Sequence, residues 1–337
     1  MSVPRLAAPC RLGPDAPRWA RDAASAFAGR RVTVVGDAVL DVYRGTDGRS
    51  ACYAGGAAVI AGHLHALGAN SVLVTRLGND GDGRHLHRLL KNRGIACHPL
   101  PTRDATPLRV RRVVGDAVVA DAGQRRDHHV YTLESGETRR LADLLRQPDH
   151  LDAAEAVVFA DFGHGTVGPE LLDAVLPELR PRVGVLAGDV SGPRVSLLAM
   201  RGFDLLTPAE AELRRLVAAS SGTDPLDGLA QHLVERLAVR HLLVTRDRHG
   251  CVRYGPDGTI HTAASRAGRV VDEVGAGDAL LATATLGLCA GYPIEDAVEL
   301  GQRSAAAAVM RVGNAPVGWE AVIDAADPPR PAARPAA

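Results

Sequence analysis

The chain of 337 residues is almost without lysine. Lys91 is the only one, in the surface-helix pattern Arg88-Leu89-Leu90-Lys91-Asn92-Arg93. That excludes a Gly-Lys-Ser/Thr phosphate loop and the strand lysine of a protein kinase. Any phosphate must be held by Arg, His, backbone N–H or metal. Net charge is also absent, with Lys+Arg 39 against Asp+Glu 39. Such a balance argues against a nucleic-acid or membrane-surface partner. The cysteines (Cys10, Cys52, Cys97, Cys251, Cys289) form no C-x-x-C pair. A disulfide framework and a cysteine zinc site are thereby disfavoured, and a reducing, cytoplasmic location is expected. There is no apolar run of about 18 residues for a membrane span. The first 20 residues have no signal-peptide core. The G-x-G-x-x-G dinucleotide fingerprint is missing too.

What the chain does have is a repeated alternation of apolar runs and helical patterns. Arg31–Asp37, Ser71–Leu77, Ala156–Ala160, Val183–Ala187 and His241–Thr245 read as buried strands, the first continued by Ala38–Tyr43. Helical patterns follow at 57–67, 84–93 and from Pro169. The order predicts an α/β fold, a doubly wound, mostly parallel sheet with helices on both faces. One domain over 26–325 accounts for the length. Residues 1–25 and the Pro-rich tail 326–337 read as irregular. Thr106–Ala122 alternates, with Gly115-Asp116 between two β-prone runs, and reads as a hairpin flap over a cleft. The adjacent pair His128-His129 does not share a helix face and reads as surface.

Ligands in such sheets collect at the carboxyl ends of strands. Asp41, Asp161, Asp189 and Thr245 fall at or just past such ends, as does Val271–Leu281. In that last stretch Gly275-Ala276-Gly277-Asp278 opens a long apolar helix. Small residues allow a sharp turn and close approach, and the first-turn N–H groups favour an anion. Asp278 has two readings. An acidic residue in a first turn is most often a cap that offsets the helix dipole. Beside an anion hole it is also the base that phosphoryl transfer needs.

Taken in order, these motifs resemble the ribokinase-like (PfkB) carbohydrate kinases over residues 30 to 325, and especially the heptose 7-phosphate kinases among them. The likeness rests on Val35-Gly36-Asp37 with Leu40-Asp41, Gly55-Gly56-Ala57-Ala58, Leu77-Gly78-Asn79-Asp80 and Ala160–Gly165. Thr207-Pro208 with Glu212, Thr245-Arg246 with Gly250, and Gly275–Asp278 complete it. The resemblance implies an ATP- and Mg²⁺-dependent sugar kinase with a monovalent cation, a β lid near 42–54 and 106–122, and a lid-mediated homodimer. It implies that Asp278 is the base and that Gly275, Ala276 and Gly277 form the anion hole. Asp41, Gly55, Gly56 and Asp161 would hold the sugar. Arg109, Arg111 and His164 are candidates for the phosphate end of a sugar phosphate. Thr245, Arg246, Gly250 and Gln302 would line the nucleotide, and Glu212 would organise Mg²⁺ through water.

Several positions depart from the family pattern: Val59 and Ala209 replace Asn, Val274 replaces Thr, and His164 replaces the Lys of heptose kinases. The segment between Asp41 and Gly55 is also shorter. The alternatives therefore remain a kinase of another sugar or nucleoside, or a degenerate kinase that binds ligand as a regulator.

Overall fold

The structure, a computed structural model, describes residues 12–114, 117–119, 135–147, 154–191, 196–217, 225–268 and 270–326. The strands are β1 (Arg31–Gly36), β2 (Ala38–Gly45), β3 (Ser50–Gly56), β4 (Asn70–Gly78), β5 (Ala96–Thr102), β6 (Leu108–Val114) and β7 (Ala117–Val119). They continue with β8 (Ala156–Asp161), β9 (Val185–Val190), β10 (Leu205–Leu206), β11 (His241–Thr245), β12 (Cys251–Tyr254) and β13 (Ile260–Ala263). The helices are α1 (Arg18–Phe27), α2 (Ala57–Ala66), α3 (Gly81–Asn92), α4 (Ser135–Leu145) and α5 (Pro169–Leu179). After them come α6 (Glu210–Val217), α7 (Leu226–Leu237), α8 (Ala276–Cys289), α9 (Ile294–Val309) and α10 (Trp319–Ala326).

Nine strands form the central sheet in the order β13-β12-β11-β10-β9-β8-β1-β4-β5. Pairing is parallel from β5 to β11, and β12 and β13 are antiparallel at one edge. Side chains alternate between its faces, the period of two that strand geometry imposes. Val34 and Val158 join one core with α1, α2, α8, α9 and α10. Val35, Val157 and Phe159 join the other with α4, α5 and α7. The mostly parallel, doubly wound sheet expected from the βα alternation is the one observed.

Helix α8 is apolar all round, and Asp278 to Gly287 are continuously buried, as such a helix must be. Glycine brings α9 against it. A Cβ at Gly287 would lie 2.7 Å from Ala297 Cβ, and one at Gly301 would overlap Leu280. The start of α8 is thus held by tight packing along its length.

Two local expectations need correction. The apolar run Arg31–Tyr43 is not one strand. It breaks at Asp37, and β2 enters a separate four-stranded sheet, β3-β2-β6-β7. In that sheet β2 pairs antiparallel with β3 and parallel with β6, and β6 pairs antiparallel with β7. Asp37 causes the break: its buried carboxylate accepts the N–H groups of Phe162 (2.9 Å), His164 (2.9 Å) and Thr166 (2.8 Å). Residues 18–25 are also not irregular. In α1, Ala20, Ala23, Ala24 and Phe27 make one buried stripe. Phe27 meets Trp319 at 5.6 Å, and Arg303 lies 4.6 Å from the Trp19 ring. The tail from 327, the Gly115-Asp116 turn, residues 120–122 and His128-His129 lie outside the described residues. Among the described residues no helix is long and apolar enough to cross a membrane.

Candidate active site

The start of α8 lies at the carboxyl edge of the sheet. Gly275 precedes it at φ 86°, a left-handed conformation that glycine adopts without strain. A Cβ there would overlap Asn314 Oδ1. No side chain caps this helix start, and first-turn N–H groups have no intrahelical acceptor. Asp278 follows in that turn, with 9% of its surface exposed. Burial pushes its pKa up to about 7, the charge of Asp41 adds to the rise, and Arg109 opposes it.

Asp41 lies within β2, opposite Tyr53 of β3 and Arg109 of β6. It is a mid-strand residue of the small sheet, where a strand end was expected. Its Oδ2 accepts from Asn314 Nδ2 at 3.1 Å. A Cβ on Gly55 would overlap that same oxygen, so Gly55 makes room for the carboxylate. Gly56, at φ 62°, turns the chain into α2. Burial raises the pKa of Asp41, while Arg111, Asn314 and Arg109 pull it down. The Arg109 guanidinium lies 5.9 Å from the Phe162 ring, and that of Arg111 lies 5.9 Å from the Tyr43 ring.

Glu212 and Asp189 flank Asp278. Glu212 Oε2 accepts from Ala209 N at 2.8 Å, and burial raises its pKa. Asp189 accepts from Thr207 Oγ1 at 2.8 Å; burial, Asp278 and Glu212 push its pKa well up. Carboxylates that repel one another in this way are chemically suited to a Mg²⁺ ion held through water and phosphate oxygens. Among the described residues, no three His, Cys, Asp or Glu side chains could hold a metal directly.

Beside Ala276 a cavity of about 110 Å³ is lined by Asp247, Ser265, Val270, Glu273, Gln302 and Val309, among others. Apolar walls with carboxylates at hand suit a nucleoside, the base between aliphatic side chains and hydroxyls on Asp247 or Glu273. Gln302 is buried, its Nε2 2.9 Å from Cys251 Sγ. Gly250, at φ 81°, returns the chain so that Arg246 N donates to Gly250 O at 2.8 Å. Thr245 N donates to Pro208 O at 3.0 Å, and Arg246 Nε donates to Glu210 at 2.9 Å.

Not every expected residue joins this group. Asp161 Oδ1 accepts from Gly163 N at 2.9 Å. Its Oδ2 accepts from Ser196 N at 2.6 Å and Ser196 Oγ at 2.7 Å. Both oxygens thus serve the chain itself, and burial with the neighbouring Asp37 raises its pKa to about 6. His164 is buried in a separate small cavity with Asp37, Arg76 and Asp104.

Three residues with no role assigned from sequence complete the site. Asn314 binds Asp41. Asp272 accepts from Tyr43 Oη at 2.8 Å and Gly313 N at 3.1 Å through one oxygen, and from Val274 N at 3.2 Å through the other. Tyr43 has a visible signal, lying two residues from Asp41 and so on the same strand face. Asn314, after Gly313, reads as a turn former.

The model of the pfkB family carbohydrate kinases matches residues 30–320. The chain belongs to this family. It is a carbohydrate kinase by membership. Similar proteins include the bifunctional protein HldE of Hyphomonas neptunium, 29% identical over 319 residues, covering 88% of this chain and 63% of the relative. HldE of Coxiella burnetii is 29% identical over 263 residues, covering 78% of this chain and 53% of the relative. The kinase thus spans less than two-thirds of these relatives. Among solved structures, phosphofructokinase-2 from Escherichia coli in complex with potassium aligns with TM-score 0.71 at 20% identity, covering 87% of this chain and 97% of that one. Ribokinase from Thermotoga maritima aligns with TM-score 0.62 at 19% identity, covering 88% and 99%. At these identities the structural likeness speaks for the fold.

Proposed function

We propose that this kinase moves the γ-phosphoryl group of ATP to a hydroxyl of a sugar phosphate, with Asp278 as base and heptose 7-phosphate as the acceptor type. The observation that carries the reading is Asp278 itself. A carboxylate that served only as a cap would accept a free N–H of that first turn. Asp278 makes no side-chain hydrogen bond among the described residues, and burial raises its pKa to about 7. A base with its pKa near the working pH is best suited to proton transfer.

In this reading the sugar hydroxyl gives its proton to a carboxylate oxygen of Asp278. Its oxygen bonds to the γ-phosphorus as the bond to the bridging oxygen breaks and ADP leaves. The first-turn N–H groups beside Gly275, Ala276 and Gly277 stabilise charge on the moving phosphoryl. Asp41 accepts from a sugar hydroxyl, and Gly55 leaves it room. Arg109, within electrostatic reach of Asp41 and Asp278, keeps the pair from both going neutral and meets the anionic acceptor. Thr245, Arg246 and Gly250 run along the nucleotide phosphates, and Gln302 backs the base. Glu212 and Asp189 would hold Mg²⁺ through water, and the ion would supply positive charge against the phosphates. The HldE relatives support the heptose-type acceptor.

A panel of acceptors tests the substrate class. ATP consumption with heptose 7-phosphate should exceed that with fructose 6-phosphate, ribose and nucleosides. A preference for an unphosphorylated sugar would discard the sugar-phosphate reading. ATP binding with no turnover on any acceptor would favour the regulator, for which Val59 and Ala209 are the evidence.

A further inference from the structure

We infer that Asn314 is a positioning residue of the sugar site, holding one oxygen of Asp41 so that the other, Oδ1, is the one presented to a sugar hydroxyl. The inference rests on the kinase reading above and adds which oxygen of Asp41 the sugar meets.

The two oxygens of Asp41 differ. Oδ2 is enclosed, with Asn314 Nδ2 donating at 3.1 Å and Gly55 packed so closely that a Cβ would overlap it. Oδ1 is shielded from solvent and has no hydrogen-bond partner among the described residues. Asp41 as a whole is 2% exposed. A buried carboxylate oxygen without a donor is unfavourable. A ligand hydroxyl supplies the donor that the chain does not. An oxygen of a carboxylate can take two donors, but Gly55 and Asn314 enclose Oδ2, so Oδ1 is the oxygen left for a ligand hydroxyl.

Asn314 is itself fixed. It is 3% exposed, and its Oδ1 fills the space above Gly275. Gly313 N donates to Asp272 Oδ2 at 3.1 Å, and Val317 N donates to His63 Nδ1 at 3.0 Å. Burial drives the pKa of His63 down to about 3, so it stays a neutral acceptor. Asp272 Oδ2 also takes Tyr43 Oη. Strand β2 is therefore tied to residues 313–314 twice, by Asp41–Asn314 and by Tyr43–Asp272–Gly313. Asn314 spans the strand that carries Asp41 and the glycine that starts α8.

The charged groups around Asp41 are Arg109 and Arg111 on β6, Asp272 before α8 and Asp278 on α8, with Tyr43 on β2 itself. They set the background for the test. Asn314→Asp keeps the shape but replaces the donating amide with oxygen, and Asn314→Ala removes both. Steady-state kinetics are measured with ATP and, as acceptors, D-glycero-D-manno-heptose 7-phosphate, fructose 6-phosphate and ribose. At pH 8 both variants should raise the KM for the sugar roughly tenfold or more, with the KM for ATP unchanged. Acidification should lower the sugar KM of Asn314→Asp again, because two adjacent carboxylates share one proton that restores a donor. Asn314→Ala should show no such recovery. A wild-type sugar KM in Asn314→Asp at pH 8 overturns the inference and leaves the kinase reading standing. Equal rises in both KM values with a lower melting temperature in both variants overturn it as well, as a merely structural role. No turnover by the wild type on any of the three acceptors overturns the kinase reading and this inference together.

Discussion

Asp278→Asn should make the protein more stable while disabling it. The folded pKa of Asp278 is raised from 3.8 to about 7, chiefly by burial. The folded state therefore binds a proton that the unfolded state has already released across that window. The contribution of Asp278 to stability is most favourable below pH 4, falls as pH rises toward 7, and is flat above it. That rise in pKa is worth at most about 4 kcal/mol at pH 8. Asparagine has no charge to desolvate, so the variant should exceed wild type by about 2–4 kcal/mol at pH 8. Asp189 shifts the difference the same way, since part of its own rise comes from Asp278. Urea unfolding of both proteins at pH 4, 6 and 8 measures it. The stability gap should be widest at pH 8 and close toward pH 4. A gap that is absent, reversed or independent of pH would refute the burial of a charged Asp278.

The same pKa predicts that kcat/KM falls as pH drops through about 7, because the protonated carboxyl cannot accept the sugar proton; a rate flat from pH 5 to 8 would contradict it. Gly275→Ala must adopt φ 86° and displace Asn314 Oδ1, at a cost of about 1–3 kcal/mol and with loss of turnover; a crystal structure of the variant and an activity assay check both. Asp37→Ala leaves three buried backbone N–H groups without their acceptor, a loss of roughly 3 kcal/mol or more that chemical denaturation would register. Glu212→Gln should raise the Mg²⁺ concentration for half-maximal rate, with the KM for sugar little changed, in a metal titration.

The large sheet was legible because buried parallel strands are continuous apolar runs. Val32–Gly36 and Val157–Ala160 announce themselves without reference to any partner. The small sheet was harder. Between Val32 and Tyr43 two acids interrupt the apolar pattern, and nothing local says that the chain changes sheet at Asp37, whose reason lies in the N–H groups of residues 162–166. Helix α1 was not legible because its buried stripe is mostly alanine and its aromatic partners, Tyr292 and Trp319 on Phe27, are in the last third of the chain. At the site, the local spacing of Gly275–Asp278 marked a helix start with an acid in its first turn, which alone reads as a cap or a base. Asn314 could not be read locally, since it meets Asp41 from 273 residues away. Asp161 shows the converse: a strand-end acid that looks like a ligand has both oxygens bonded within the chain, to Gly163 and Ser196.

The most direct measurement is the rate of ADP formation by wild type and Asp278→Asn with Mg²⁺, ATP and heptose 7-phosphate, the sugar product followed by phosphorus NMR. The account predicts one new phosphate ester per ADP in the wild type and a rate lower by about 10²–10⁴ in the variant. A variant that forms the same ester at the wild-type rate would contradict it.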